Sequence, residues 1–176
     1  MFKEERDENQ FDWSMIGDVA EGRPNLGSTM DLVVYRLMQF TLRDTIIKEF
    51  DAATAERIFY AAGKEAGKQF CQQLIDKDND FNGFVQQTEQ LLKDLKIGIL
   101  RMEKVDLENL NFTLTVAEDL DCSGLPVSDE TICTYDEGFL AGLLLEYTGK
   151  EFEVKEVDCW CTGDRVCRFD AKPLAA

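Results

Sequence analysis

Between Glu156 and Phe169 the chain reads EVDCWCTGDRVCRF, placing three cysteines and three acidic residues in fourteen positions of a protein without histidine. Side-chain metal ligands here are therefore thiolates and carboxylates, a set that suits Zn²⁺ in a closed structural site. The same thiols can close a disulfide, act as a redox pair, or pack as small apolar side chains. Cys122, Cys133, Cys159, Cys161 and Cys167 all fall within one stretch of 46 residues, whereas Cys71 stands alone in a helical pattern. CWC is not the CxxC of a thioredoxin-like oxidoreductase, and the compact CxxCxxC run of an iron–sulfur protein is absent.

Hairpin geometry narrows these readings. With a three-residue loop at Thr162–Asp164, Cys159 faces Cys167 across the ribbon, at the ~4.5–5.5 Å of opposed Cβ atoms. Two such thiolates can share one zinc, and Cys133, at the start of a helix returning to the hairpin, supplies a third. Cys161, Cys122 and Glu156 are the candidates for the fourth place. Ideal strand alternation favours Cys161, which lies two residues from Cys159 on the same face.

The elements that must position these residues follow from periodicity. Residues 30–50, 53–76 and 82–96 carry apolar side chains at helical spacing, with Ser28 or Thr29 as N-cap of the first. The second displays a small-residue face of Ala62, Gly63, Ala66 and Gly67, suited to close approach by another element. Residues 97–106 and 110–119 form a hairpin in which Phe112, Leu114 and Val116 alternate with Thr113 and Thr115. Helical spacing returns over 128–150, and two strands follow around the TGD turn. Helices, hairpin, helix and hairpin predict an α+β fold, an antiparallel sheet with helices packed on one face. Residues 1–28, with a GDVAEGRPNLG segment, read as an N-terminal arm, and 29–176 as a single domain.

Composition excludes several roles. A net charge of −16 over 176 residues, with no Lys/Arg cluster, argues against nucleic acid. No stretch approaches the ~20 apolar residues of a membrane span. The charged start, MFKEERDENQ, lacks the apolar run of a signal peptide, so a cytoplasmic location is expected.

The segment CSGLPVSDETICTYDEGFLAGLLLEYTGKEFEVKEVDCWCTGDRVCRF (122–169) resembles the 4-vinyl reductase domain, with its C…GF/L-x-G…E-x-x-C…G-x-x-x-C-x-F pattern. RPNLG…VYRL…LRD and FYAAGKEAG extend the likeness to about residues 17–170. The resemblance implies a homodimeric domain with a fold like the TRAPP vesicle-tethering subunits, among relatives that include small-ligand-binding proteins and sensors of aromatic effectors. In those sensors three cysteines and a glutamate hold a structural zinc beside the effector pocket. Carried over by motif, the ligands are Cys133, Glu156, Cys159 and Cys167, with Cys161 and Cys122 in reserve. Glu156 and Cys159 differ by an odd number of positions, so they share a face only if a bulge intervenes.

Neither a dinucleotide fingerprint nor a histidine-assisted nucleophile is present. The resemblance instead implies a zinc-containing, non-catalytic domain that binds a small hydrophobic or aromatic molecule and signals, as a homodimer, to a separate partner. Tyr35, Phe40, Phe59, Tyr60, Phe84, Tyr135, Phe139 and Trp160 are the candidate pocket residues. The alternatives are a tetrapyrrole-binding protein assisting 4-vinyl reduction and a thiol-ligated haem sensor.

Overall fold

The computed structural model describes residues 11–174, and the chain divides into units at 1–31 and 32–176. The division falls after Asp31, three residues beyond the expected end of the arm, whose first ten residues lie outside the described ones. Within the first unit, a 3₁₀ turn at Trp13–Ile16 is capped by the Asp12 carboxylate, which accepts from Ser14 N at 2.9 Å. The single-turn helix α1 (Val19–Gly22) is capped in the same way by Asp18.

The second unit contains α2 (Leu32–Glu49), α3 (Ala52–Leu74), α4 (Phe81–Asp94), β1 (Ile99–Asp106), β2 (Asn111–Ala117), α5 (Thr134–Thr148), β3 (Phe152–Asp158) and β4 (Cys167–Pro173). The strands form one antiparallel sheet in the order β1-β2-β4-β3. The chain is thus the expected α+β fold. Asp51 and Asp80 start α3 and α4 by accepting from Thr54 N and Gly83 N, each satisfying one orphan amide of the first turn. α2 begins at Leu32, past both expected caps.

Two expectations change with tertiary context. Thr113 and Thr115 are buried along with their apolar neighbours, because β2 is an inner strand. The Arg168–Glu103 ion pair, Nε to Oε2 at 2.8 Å, joins β4 to β1 across it. The predicted helix over 128–150 starts only at Thr134. Ser128 N and Asp129 N donate instead to the Cys161 carbonyl at 2.9 and 3.1 Å, which holds the first residues of that segment out of the helix.

α5 is buried along most of its length, between α3 and the sheet. Its contact with α3 is backbone to backbone. A Cβ on Gly63 or Gly67 would lie 2.0 Å from the carbonyl oxygens of Tyr135 and Phe139. One on Gly138 or Gly142 would lie 2.1 or 2.0 Å from those of Tyr60 and Lys64. Gly63 and Gly67 thus serve the close approach expected of the small-residue face. On the other side Phe84 stacks on Tyr147 with ring centroids 3.9 Å apart, tying α4 to α5.

α2 inverts the usual arrangement. Its one buried residue is Gln39, while Val33 and Leu37 are 69% and 65% exposed and Val34, Met38 and Leu42 are exposed beside them. These positions share one face by their spacing of three and four.

Gly67→Ala will force α3 and α5 apart and destabilise the fold by about 3 kcal/mol or more in urea unfolding. Gly22→Ala, where an added Cβ meets nothing within 4 Å, will leave the unfolding midpoint unchanged.

Candidate metal centre

Four cysteines from four chain segments converge. Cys122 lies in the loop after β2, Cys133 is the N-cap of α5, Cys159 follows β3, and Cys167 opens β4. Their sulfurs all lie within 4.8 Å of one another. The individual separations include 3.1 Å for Cys122–Cys167, 3.8 Å for Cys133–Cys167 and 4.0 Å for Cys133–Cys159. Thiolates at 2.3 Å around a tetrahedral zinc stand about 3.8 Å apart, so the set fits one such ion. All four side chains are 0–1% exposed, and all the cysteines are free thiols. The cluster is compatible with a metal in a closed, water-free site.

The hairpin achieves this differently from the three-residue loop expected. β3 ends at Asp158 and β4 starts at Cys167, and the connection contains a 3₁₀ turn at Trp160–Thr162. Thr162 Oγ1 accepts from Cys159 N at 3.1 Å, and Gly163 closes the turn at φ +101°. Asp158 pairs with Arg168, so Cys159 and Cys167 occupy the next positions of the expected register. Cys161, carried into the turn, falls outside the four-sulfur group although its side chain is buried. Its carbonyl oxygen, not its thiol, does the visible bonding, to Ser128 and Asp129.

A bulge between Glu156 and Asp158 supplies the shift that the odd spacing of Glu156 and Cys159 requires. Glu156 faces inward beside the sulfurs: its Oε2 accepts from Cys133 N at 3.3 Å, and its Oε1 is buried without a hydrogen-bond partner. Burial, and then the charge of Cys159, push this carboxyl up to about 8. Hydrogen bonds from Cys122, Cys133 and Cys167 pull the Cys159 thiol down, whereas bonds to the same group and burial push Cys133 up. Glu137 pins the bulged strand, accepting from Glu156 N at 2.9 Å and pairing with Lys155 Nζ at 3.1 Å.

The loop bearing Cys122 is held from α2. Tyr35 Oη donates to Asp121 Oδ1 at 2.8 Å, and Arg36 donates to the carbonyls of Leu120 and Ser123 at 2.9 and 2.8 Å. Burial and the neighbouring Asp119 raise Asp121 to about 6.

The candidate pocket residues are dispersed. Phe40 and Phe59 meet beside Gln39 and Ile132. The carbonyls of Tyr60 and Tyr135 lie in the α3–α5 contact, and Phe139 packs edge-on against Phe70. Trp160 donates to the Leu125 carbonyl at 2.9 Å beneath Arg165. Phe84 borders a separate apolar space among α4, α5, β1 and β2, closed down to about 10 Å³ by Phe81, Thr88, Leu100, Leu114 and Leu140. Sequence reasoning singled out none of Asp119, Asp121, Asp136 and Glu137. The available signal was the i, i+3 spacing of Cys133 and Asp136 at a helix start.

Residues 112–173 match the family model of the vinyl-4-reductase domain. The chain belongs to that family. The matched segment contains Cys133, Cys159, Cys167 and Cys122, together with Glu156 and the bulge. An uncharacterized protein of Methanocaldococcus jannaschii is 32% identical over 117 residues, covering 66% of this chain, and the chain spans 64% of that relative's length, just under two thirds. A second uncharacterized protein of that organism is 25% identical over 147 residues, 84% of this chain and 80% of its own length. Among solved structures, a vinyl-4-reductase family protein of M. jannaschii shares the fold at TM-score 0.61 and 18% identity, over 94% of this chain and 98% of that one. The phenol-responsive sensory domain of the transcription activator PoxR, solved with phenol, superposes at 0.66 with 15% identity, over 84% and 78%. A trafficking protein particle complex subunit 3 from Naegleria fowleri, covalently bound to palmitic acid, superposes at 0.64 with 11% identity, over 82% and 95%. The vinyl-4-reductase domain thus sits in a fold like that of the TRAPP subunits, as expected.

Co²⁺ added to the reduced chain will give sulfur-to-cobalt charge-transfer absorption. Cys161→Ser will keep that spectrum, and Cys167→Ser will lower Co²⁺ affinity by more than about 10-fold, both read by titration against a chromophoric chelator.

Proposed function

We propose that the chain is a zinc-stapled, non-catalytic binding module that takes a small hydrophobic or aromatic molecule and works as a homodimer. The observation that carries this reading is the position of the four-sulfur cluster. It clamps the start of α5 to the ends of β3 and β4, while the apolar space lies farther along α5. Zinc held there by Cys133, Cys159, Cys167 and either Cys122 or Glu156 would fix α5 on the sheet and so define one wall of a pocket. The phenol of the PoxR sensory domain and the palmitic acid of the trafficking subunit support an apolar ligand, since both are bound by proteins of this fold.

Space of about 10 Å³ holds no more than one water molecule, so binding requires α4 to move. The Phe84–Tyr147 stack is the contact that must open, which makes ligand entry a displacement of α4 rather than passive filling. Such a displacement is a means of signalling to a separate partner. The exposed α2 face supports the homodimer. Its 18 residues extend about 27 Å, and an apolar stripe of that length is normally covered.

Native mass spectrometry of the chain isolated from its own cells reads all three elements together. A dimer with one or more zinc ions per chain and a bound organic mass supports the proposal. A metal-free monomer would sink it, and a Soret band would replace it with the haem reading. Leu37→Glu with Met38→Glu will convert the dimer to monomer in multi-angle light scattering without changing the far-UV circular dichroism. Chelation of the zinc will lower the thermal midpoint, and re-addition will restore it.

A further inference from the structure

A second set of donors touches the sulfur cluster and is not used by it. One oxygen each of Asp119 and Asp136 and the sulfur of Cys133 lie within 4.8 Å of one another. Asp119, from the loop after β2, accepts from Asp121 N and Cys122 N through Oδ1 at 2.7 and 3.1 Å. A carboxylate has about four lone-pair sites, so these two bonds leave capacity for a cation. Asp136, on the first turn of α5, has its Oδ2 buried without a hydrogen-bond partner, and so has Asp121. A buried oxygen left in that condition is costly.

An independent observation comes from α2. Gln39, 8% exposed and the helix's one buried residue, also has an unpartnered oxygen, Oε1. Its amide lies against the Asp121 carboxylate, so the side chain is aimed into the acidic group from a different element. Unpartnered oxygens from α2, the loop and α5 therefore face one buried region.

Charge gives the same answer. Four thiolates on one divalent ion leave a net charge of −2, and Asp119, Asp121, Asp136 and Glu156 lie around them. The nearby cation is Arg36, but its donors go to the main-chain carbonyls of Asp119, Leu120 and Ser123. It holds the loop in place without forming an ion pair with a carboxylate. Buried negative charge of this density is stable only when balanced.

We propose that this group is a second divalent-metal site, with Cys133 as a bridging thiolate and Asp119 and Asp136 as carboxylate ligands. Asp121 and Gln39 Oε1 close the oxygen side. Mixed sulfur and oxygen donors suit Zn²⁺, and the two ions together would form a thiolate-bridged pair at the N-terminus of α5. The proposal extends the four-sulfur reading and shares only Cys133 with it.

The test is metal stoichiometry on the full chain, stripped under reducing conditions, reloaded with Zn²⁺ and dialysed. Two zinc ions per chain are expected for the native chain, and one for Asp136→Asn and for Asp119→Asn. Glu108→Gln, at an exposed carboxylate, will keep two. One zinc in the native chain, unchanged by Asp136→Asn, overturns the second site and leaves the first standing, whereas none overturns both. Two ions retained in Asp136→Asn mark the second as an adventitious surface ion and also overturn the proposal. Because either variant can fail to fold, the native chain is also titrated with Co²⁺. The second equivalent must weaken the electron paramagnetic resonance signal of the first through the bridging thiolate. Simple addition of the two signals overturns the bridge.

Discussion

The backbone contact between α3 and α5 is the constraint on which the site depends. Four glycines bring the helices together so closely that no side chain fits between them. α5 therefore cannot slide or tilt without breaking contacts along its length, and its first turn is delivered to one place. That turn carries Cys133, Asp136 and Glu137. Cys133 joins the sulfur cluster, Glu137 holds the backbone of β3, and Asp136 stands among the buried carboxylates. The positive end of the helix favours negative groups at all three positions.

Irregularity in the sheet matters as much as its regularity. Regular alternation would place Glu156 and Cys159 on opposite faces. The bulge between Glu156 and Asp158 turns both toward Cys133, and the amide of Glu156 at that point is the one Glu137 binds. The 3₁₀ turn then removes Cys161 from the group that its spacing suggested. Five donors, the four sulfurs and the Glu156 carboxylate, reach one region because the hairpin departs from ideal geometry at two points.

α2 connects this centre to the surface. Its inward residues, Tyr35, Arg36 and Gln39, are polar and hold the loop that bears Cys122, while its outward residues are apolar. A partner covering the outer face would thus press on the same helix that positions one wall of the cysteine cluster. Occupancy of the centre and occupancy of the α2 face are mechanically joined through three side chains.

From the sequence alone, the hydrophobic periods placed the helices and strands, and the Gly63–Gly67 spacing marked a close helix contact. The crowding of cysteines in a histidine-free chain named the donor chemistry, and the C-terminal pattern pointed to the 4-vinyl reductase domain. These were legible because they depend on residue type and local spacing. The tertiary structure decided which cysteines meet. Cys122 entered the group because α2 bonds its loop from 86 and 84 positions away in the chain, a contact that local period does not record. It also decided that Asp119, Asp121 and Asp136 are buried, when acidic residues in a chain this acidic read as solvent-facing. Burial depends on what packs above a residue, and only the folded arrangement of α2, α5 and the loop between β2 and α5 supplies that.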